Sequence, residues 1–348
     1  MDSTFAVLVL VVILALVFDY INGFHDTANA VATVVSTNVL PARTAIILAA
    51  VFNFAGAFVG VGVATTIGGD IATPTSITQL VVAAALLGAI AWNLLTWYFG
   101  IPSSSSHALI GGVVGAVWCY RVFAGDPAGT AIWELMTSKG VSLTLKALVL
   151  SPVLGFVGGL VLMILMIWAV RRLKPARVNR SFRVLQLGSA GFMAFAHGSN
   201  DAQKSMGIIA LALFAYAAKE GRAEAGDALT VPWWVIVACA TAMGLGTASG
   251  GWRIMKTMGH RIIKLRPING FAAETSAAVV ILIATWLKAP VSTTHVISSS
   301  IMGVGAAKRV SAVRWGVAQN MLVAWLLTLP ISAAVSALVY FLFHTLLG

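Results

Sequence analysis

The chain has 348 residues, of which 59% are hydrophobic and only 9% charged, with a formal net charge of +11 and a mean hydropathy of +0.94. Soluble domains carry about 25% charged residues, so a soluble globular enzyme, a disordered chain and a nucleic-acid binder are excluded. What remains is a polytopic, all-α membrane protein.

A spanning helix needs about 20 apolar residues to cross about 30 Å of hydrocarbon. The first apolar stretch, 4–40, has no basic segment before it, so no cleavable signal peptide is expected. As one helix it would measure about 50 Å at about 1.5 Å per residue. It is expected to cross once and to break near its Gly and Asn/Asp cluster. Apolar spans follow at 44–67 and 77–98. The next segment, 103–120, opens on Ser103, Ser104, Ser105 and Ser106 after Pro102, and reads as a half-polar helix that starts inside the protein. After 143–170 and a basic stretch comes 184–218, long and interrupted like the first, with the same expected break. Spans 232–250 and 271–287 precede a second hydroxyl-led helix, 291–307, behind Pro290. The tail, 313–346, fits one long tilted helix or two shorter ones. These make about ten to twelve membrane segments. Cys119 and Cys239 sit in apolar runs without metal-ligand spacing, so buried thiols are expected, with no resident metal and no cofactor.

Charge supplies orientation. Fifteen of the 22 basic residues are Arg43 and three clusters, at 171–183, 253–266 and 308–314, with no acidic residue among them. The positive-inside rule makes these loops cytoplasmic. Asp70, Asp126, Glu134, Glu220, Glu224 and Asp227 collect on the opposite side.

The chain is also a duplication. GFHDTAN from Gly23 resembles GSNDAQK from Gly198, PSSSSH from Pro102 resembles PVSTTH from Pro290, and Gly115 and Gly303 then fall in register. The first repeat is assigned to 1–170, a basic linker to 171–183 and the second repeat to 184–348. An odd number of crossings per half inverts the second copy, and both chain ends then face outward. Paired interrupted segments in inverted halves point to a transporter site at the bilayer midplane.

Few ionisable groups remain at membrane depth: Asp19, Asp26, Asp201, Lys204, Glu274 and several histidines. Each charge there costs about 2.5–3.5 kcal/mol even on a lenient scale, so pairing or function must retain it. Asp19, Asn22, Asp26 and Asn29 share one helical face, and His197, Asp201 and Lys204 repeat the spacing. The hydroxyl runs Ser103 to Ser106 and Ser292, Thr293 and Thr294 exceed what capping needs. With the free N–H groups of a helix start they form an oxyanion cradle. His107 and His295 read equally as proton carriers or as satisfied core histidines. Ser298, Ser299 and Ser300 have no counterpart and read as helix-packing polarity. A Ser-His-Asp hydrolase is the remote alternative. It needs a single nucleophile, whereas here every candidate group occurs in both halves.

The stretch 18–37 (FDYINGFHDTANAVATVVST), AHGSNDAQKSMG from Ala196 and PVSTTHVISSS from Pro290 resemble the inorganic phosphate transporter (PiT) family, and within it the bacterial low-affinity permeases. The resemblance spans nearly the whole chain. It implies two inverted repeats with re-entrant helices in the cell (inner) membrane. It also implies a phosphate and coupling-ion site built from Asp26, Asn29, the run Ser103 to Ser106, Asn200, Asp201, Ser292, Thr293 and Thr294. Four positions depart from the family pattern or test it. His25 and Lys204 stand where asparagine is usual. Asn53, in AAVFNFAG, stands where sodium-coupled relatives carry glutamate, while Glu274, in GFAAETSAA, matches an acidic position of those relatives. Loss of one acidic partner favours protons over sodium, with Asp26, Asp201 and Glu274 as the proton acceptors.

A coupled cation is required on energetic grounds. Each negative charge moved inward against about 100 mV costs about 2.3 kcal/mol. Co-transported cations, or carriage of a neutral divalent metal–phosphate complex, remove that penalty. Sulfate is the alternative substrate, and sodium the alternative coupling ion. The oligomeric state is left open, a homo-oligomer included.

Overall fold

The computed structural model describes residues 3–70, 77–222 and 229–347. Glu224, Asp227 and the Asp70 side chain, expected on the outer side, lie outside what is described. In chain order the helices are α1 (Ser3–Ser36), α2 (Ala42–Gly56), α3 (Gly62–Asp70), α4 (Gln79–Phe99), α5 (Ser105–Phe123), α6 (Ala128–Thr137), α7 (Lys139–Val170) and α8 (Pro175–Lys219), then α9 (Trp233–Ser249), α10 (Trp252–Lys256), α11 (Pro267–Trp286), α12 (Thr293–Lys308) and α13 (Trp315–Leu347). No strand occurs among the described residues. Among the described residues six helices, α1, α4, α5, α7, α11 and α13, are long and apolar enough to cross a membrane, and the bent pair α9–α10 makes a seventh.

The breaks fall elsewhere than the polar clusters suggest. Both α1, with 34 residues, and α8, with 45, are continuous. Neither carries a proline past its first turn to interrupt the N–H ladder, and tertiary partners satisfy their polar side chains without opening the backbone. At about 1.5 Å per residue α8 runs about 68 Å, and its first turns take in the basic stretch from Pro175 to Arg183. The span at 44–67 instead divides into α2 and α3, at the glycines around Gly60. The span at 232–250 bends by 59° into the segment that begins at Trp252, at Gly250 and Gly251. Gly250 has a φ of +77°, which a residue with a Cβ adopts only under strain. The tail is one helix, α13, which contains Pro330, as its counterpart α7 contains Pro152.

The halves interlock. Helix α1 packs on α4 and α9, and α8 packs on α11 and α2. The hydroxyl-led helix of each half lies against the proline-containing helix of the other: α5 on α13, and α12 on α7. Gly115 and Gly303 permit that contact, since a Cβ would run into the Ala333 carbonyl in one case and the Phe156 carbonyl in the other.

Two apolar cores result. One holds Val11, Phe18, Leu109, Ile208 and Met243, and the other Val31, Met193, Met258, Ile281 and Ile301. A layer of buried polar side chains separates them. At one end Arg121 pairs with Asp126 (2.7 Å) and Glu134 (2.6 Å). There Lys219 also donates to Thr4 (3.0 Å), and Phe123 meets Phe341 and His344, so the start of α1 and the end of α13 lie at that end. The basic clusters occupy the other, where Arg183 donates to the Asn38 carbonyl (2.9 Å) and Arg253 covers Trp97 and Tyr98. Exposed Trp133, Trp168, Trp233, Trp252 and Trp286 fit a multi-pass membrane protein with interfacial anchors.

Candidate functional site

Both hydroxyl runs begin helices in the middle of the molecule. Ser104 caps α5 and Ser292 caps α12, each accepting from the backbone N–H three residues on (3.2 Å in both). The rings of His107 and His295, one turn in, stack at 5.0 Å, so the two helix starts meet head to head. The free N–H groups and positive dipole ends of the two helices are thereby brought near one another.

The motif helices flank this junction, and the carboxylates divide their oxygens alike. Asp26 Oδ1 lies 2.6 Å from His25 Nδ1, and Asp201 Oδ1 lies 2.5 Å from Lys204 Nζ. Each Oδ2 instead faces the start of α12: Thr294 Oγ1 is 3.4 Å from Asp26 Oδ2, and Thr293 Oγ1 is 3.4 Å from Asp201 Oδ2. Three residues past each aspartate, the side chain crosses to the opposite half. Asn29 donates to Thr293 (3.3 Å) and Thr294 (2.9 Å), and Lys204 donates to Ser106, while also bonding the Val291 carbonyl of its own half (3.3 Å). One residue before each aspartate, the side chain ties back to its own half. His25 Nε2 lies 3.0 Å from Thr96 on α4, and Asn200 donates to Thr285 on α11 (2.9 Å) and to the Ala289 carbonyl (3.4 Å).

Ser103 donates to Thr96 (2.9 Å), whereas the Ser105 hydroxyl and Asn29 Oδ1 have no protein partner. Apart from the partly buried Thr285, these side chains are buried, with Asp26 at 2% exposure and Asp201 at 0%. These side chains are thereby shielded from bulk solvent. Hydroxyls, helix starts and an ammonium supply donors for an anion, and two carboxylates beside them accept protons from it or hold its counter-cation.

The remaining groups divide around this centre. Asn53 donates to Thr247 (2.8 Å) and turns its Oδ1 to His197 Nδ1 (3.1 Å). The Nε2 of His197 lies 3.4 Å from Asp201 Oδ2. Ligating atoms of Asp26, His197 and Asp201 all lie within 4.8 Å of one another, a donor set able to hold a cation. Glu274 is not brought to this centre. It accepts from Thr33 (2.5 Å), Gln186 (3.0 Å) and Ser189, where Thr33 is about 10 Å beyond Asp26 along α1. Asp19 lies as far the other way, facing Ser205 and Cys239.

His295 stacks on Trp325 at 4.1 Å as well as on His107, and neither of its ring nitrogens has a protein partner. Ser300 donates to the Gly155 carbonyl (2.9 Å) at the α7–α12 contact, in the packing role read for that run. Both cysteines are buried free thiols, also as read from the sequence. Sequence reasoning missed Thr96, Thr247 and Thr285, lone threonines in apolar helices. It also missed Gln186 and Ser189, which no repeat marks. Their one signal was a hydrogen-bonding side chain placed in a membrane span.

Similarity to known proteins agrees with this geometry. The family model described as the phosphate transporter family matches twice, over residues 22–177 and 171–336, once per repeat. The chain is 49% identical over 346 residues to a probable low-affinity inorganic phosphate transporter of Bacillus subtilis (strain 168), covering 99% of each. It is 50% identical over 344 residues to the protein so described in Rhizobium meliloti (strain 1021), covering 98% of each. A solved structure, described as "The sodium-dependent phosphate transporter", superposes with a TM-score of 0.82 at 25% identity, covering 98% of this chain and 100% of that one.

Proposed function

The chain belongs to the phosphate transporter family, and from that premise we propose that it is a proton-coupled symporter importing inorganic phosphate by alternating access around the buried site. Its relatives are described as transporters and permeases, and it is not an enzyme. The observation that carries the reading is the meeting of two hydroxyl-lined helix starts beside Asp26 and Asp201. Helix starts and hydroxyls stabilise a tetrahedral oxyanion. Phosphate near neutral pH keeps an O–H to donate to a carboxylate, whereas sulfate has none, so this donor and acceptor mixture favours phosphate.

Protons fit because Asn53, committed to Thr247 and His197, supplies no charge for a second sodium, while Asp26, Asp201 and Glu274 accept protons. The stacked His107 and His295, with unpartnered nitrogens, are the relay candidates. Two further readings each have an observation behind them. The sodium dependence of the similar solved transporter and the oxygen cluster of Glu274, Thr33 and Ser189 favour sodium. The Asp26, His197 and Asp201 set favours carriage of a divalent metal–phosphate complex. The basic ends support a placement in the cell membrane with both termini outward.

The deciding experiment is radiolabelled phosphate uptake into proteoliposomes with sodium gradient, proton gradient and potential set independently. Uptake is expected to rise as external pH falls at constant concentration of the transported species, to persist when choline replaces sodium, and to collapse with a protonophore. Uptake that vanishes in choline moves Glu274 into a sodium site. Uptake lost on chelating divalent ions establishes the metal complex as cargo.

A further inference from the structure

Among the described residues Lys204 is the one buried Lys or Arg, at 1% exposure. Its Nζ is surrounded by oxygen: Asp201 Oδ1 at 2.5 Å, the Ser106 hydroxyl, and the Val291 carbonyl at 3.3 Å. A carboxylate, a hydroxyl and a backbone carbonyl are the ligands that a small hard cation takes. The repeat shows what the charge adds. At the equivalent place on the first motif, Asn29 bridges to the opposite helix start with a neutral amide. Crossing between halves therefore needs a donor and not a charge.

We propose that the Lys204 ammonium is a tethered counter-cation: it occupies the oxygen-lined position where a mobile monovalent cation would otherwise sit beside Asp201 and the Ser106 cradle. One cation fewer then has to accompany each phosphate. Two aspartates and a phosphate bring at least three negative charges into a buried volume, and the Lys204 ammonium offsets one of them. The inference rests on the phosphate reading above.

Chemical rescue tests it. Binding of radiolabelled orthophosphate to the purified full chain is measured in choline buffer at fixed pH and ionic strength. The wild type, Lys204→Ala, which opens the Nζ position, and Lys204→Met, which fills it without charge, are compared. Both variants are expected to lose affinity by about 10- to 100-fold. Ammonium, methylammonium or sodium is expected to restore Lys204→Ala and to leave Lys204→Met unimproved. In liposomes the restored uptake is expected to depend more steeply on membrane potential, because the rescuing cation travels with the phosphate.

A folded Lys204→Met that binds as the wild type does overturns the inference while leaving the phosphate site standing. So does a monodisperse Lys204→Ala that no small cation restores. If the alanine variant does not fold, the methionine variant decides, by loss or by retention of affinity. A wild type that binds no phosphate in any buffer removes the reading beneath it.

Discussion

The first motif reads His25, Asp26, Asn29, and the second reads Asn200, Asp201, Lys204. The residue before each aspartate ties to a threonine of its own half, and the residue three beyond crosses to the other half's helix start. Shape is thus duplicated, but charge is not. Asp26 has an imidazole at its Oδ1, whereas Asp201 has a buried ammonium. The two copies thus keep a common hydrogen-bond geometry while differing in the group that faces each aspartate.

The largest expected contrast comes from neutralising each aspartate. Asp26→Asn and Asp201→Asn should both abolish phosphate accumulation. Stability should separate them: Asp201→Asn strands the Lys204 ammonium and should cost about 3–5 kcal/mol, as for a broken buried ion pair. Asp26→Asn leaves an imidazole that can stay neutral, so its loss should be clearly smaller. Thermal melts of both variants in detergent give the answer, and equal losses would mean that Lys204 carries no buried charge.

Next in size are the cradles. Ser105→Ala and Thr293→Val remove hydroxyls from the first turns of α5 and α12 without touching the caps. Each should weaken phosphate binding by about 1.5–3 kcal/mol, the range for a hydrogen bond to a charged group. Ser298→Ala, in the packing stretch of α12, should leave affinity unchanged. Comparable losses at Ser298 and Thr293 would put the anion elsewhere.

The smallest contrast concerns the caps. Ser104 and Ser292 each accept from a backbone N–H, but Ser104 alone also bonds the ring of the histidine that follows, His107 Nδ1 at 2.6 Å. Ser292→Ala should cost about 1 kcal/mol of stability. Ser104→Ala should cost about 1 kcal/mol more, since it frees a buried imidazole nitrogen as well. A matching pair of melting shifts would show that the His107 ring bond contributes nothing.

Much of this was legible before any coordinates. Intramembrane charge is expensive enough that Asp26 and Asp201 stood out in a chain with 9% charged residues. The hydroxyl runs behind Pro102 and Pro290 were readable as helix starts because local capping chemistry places them there. The expected breaks in α1 and α8 were misplaced. Gly23 and Gly198 looked like hinges beside polar residues, yet no proline interrupts either ladder, and the real breaks fall at the glycines around Gly60 after α2 and at Gly250 and Gly251 after α9.

Composition, charge asymmetry and the internal repeat by themselves determined a membrane-embedded, inverted duplication with its polar residues gathered near the middle. Those properties depend on counts, on periodicity and on sequence-local chemistry. Only the tertiary structure decided who meets whom: that Asn29 and Lys204 reach across to the other half, that Glu274 lies with Thr33, Gln186 and Ser189 away from the aspartates, and that Asn53 orients His197. These pairings join residues far apart in the chain. The crossings of interlocked helices set them, and a buried polar side chain takes whichever partner packing brings within about 3 Å.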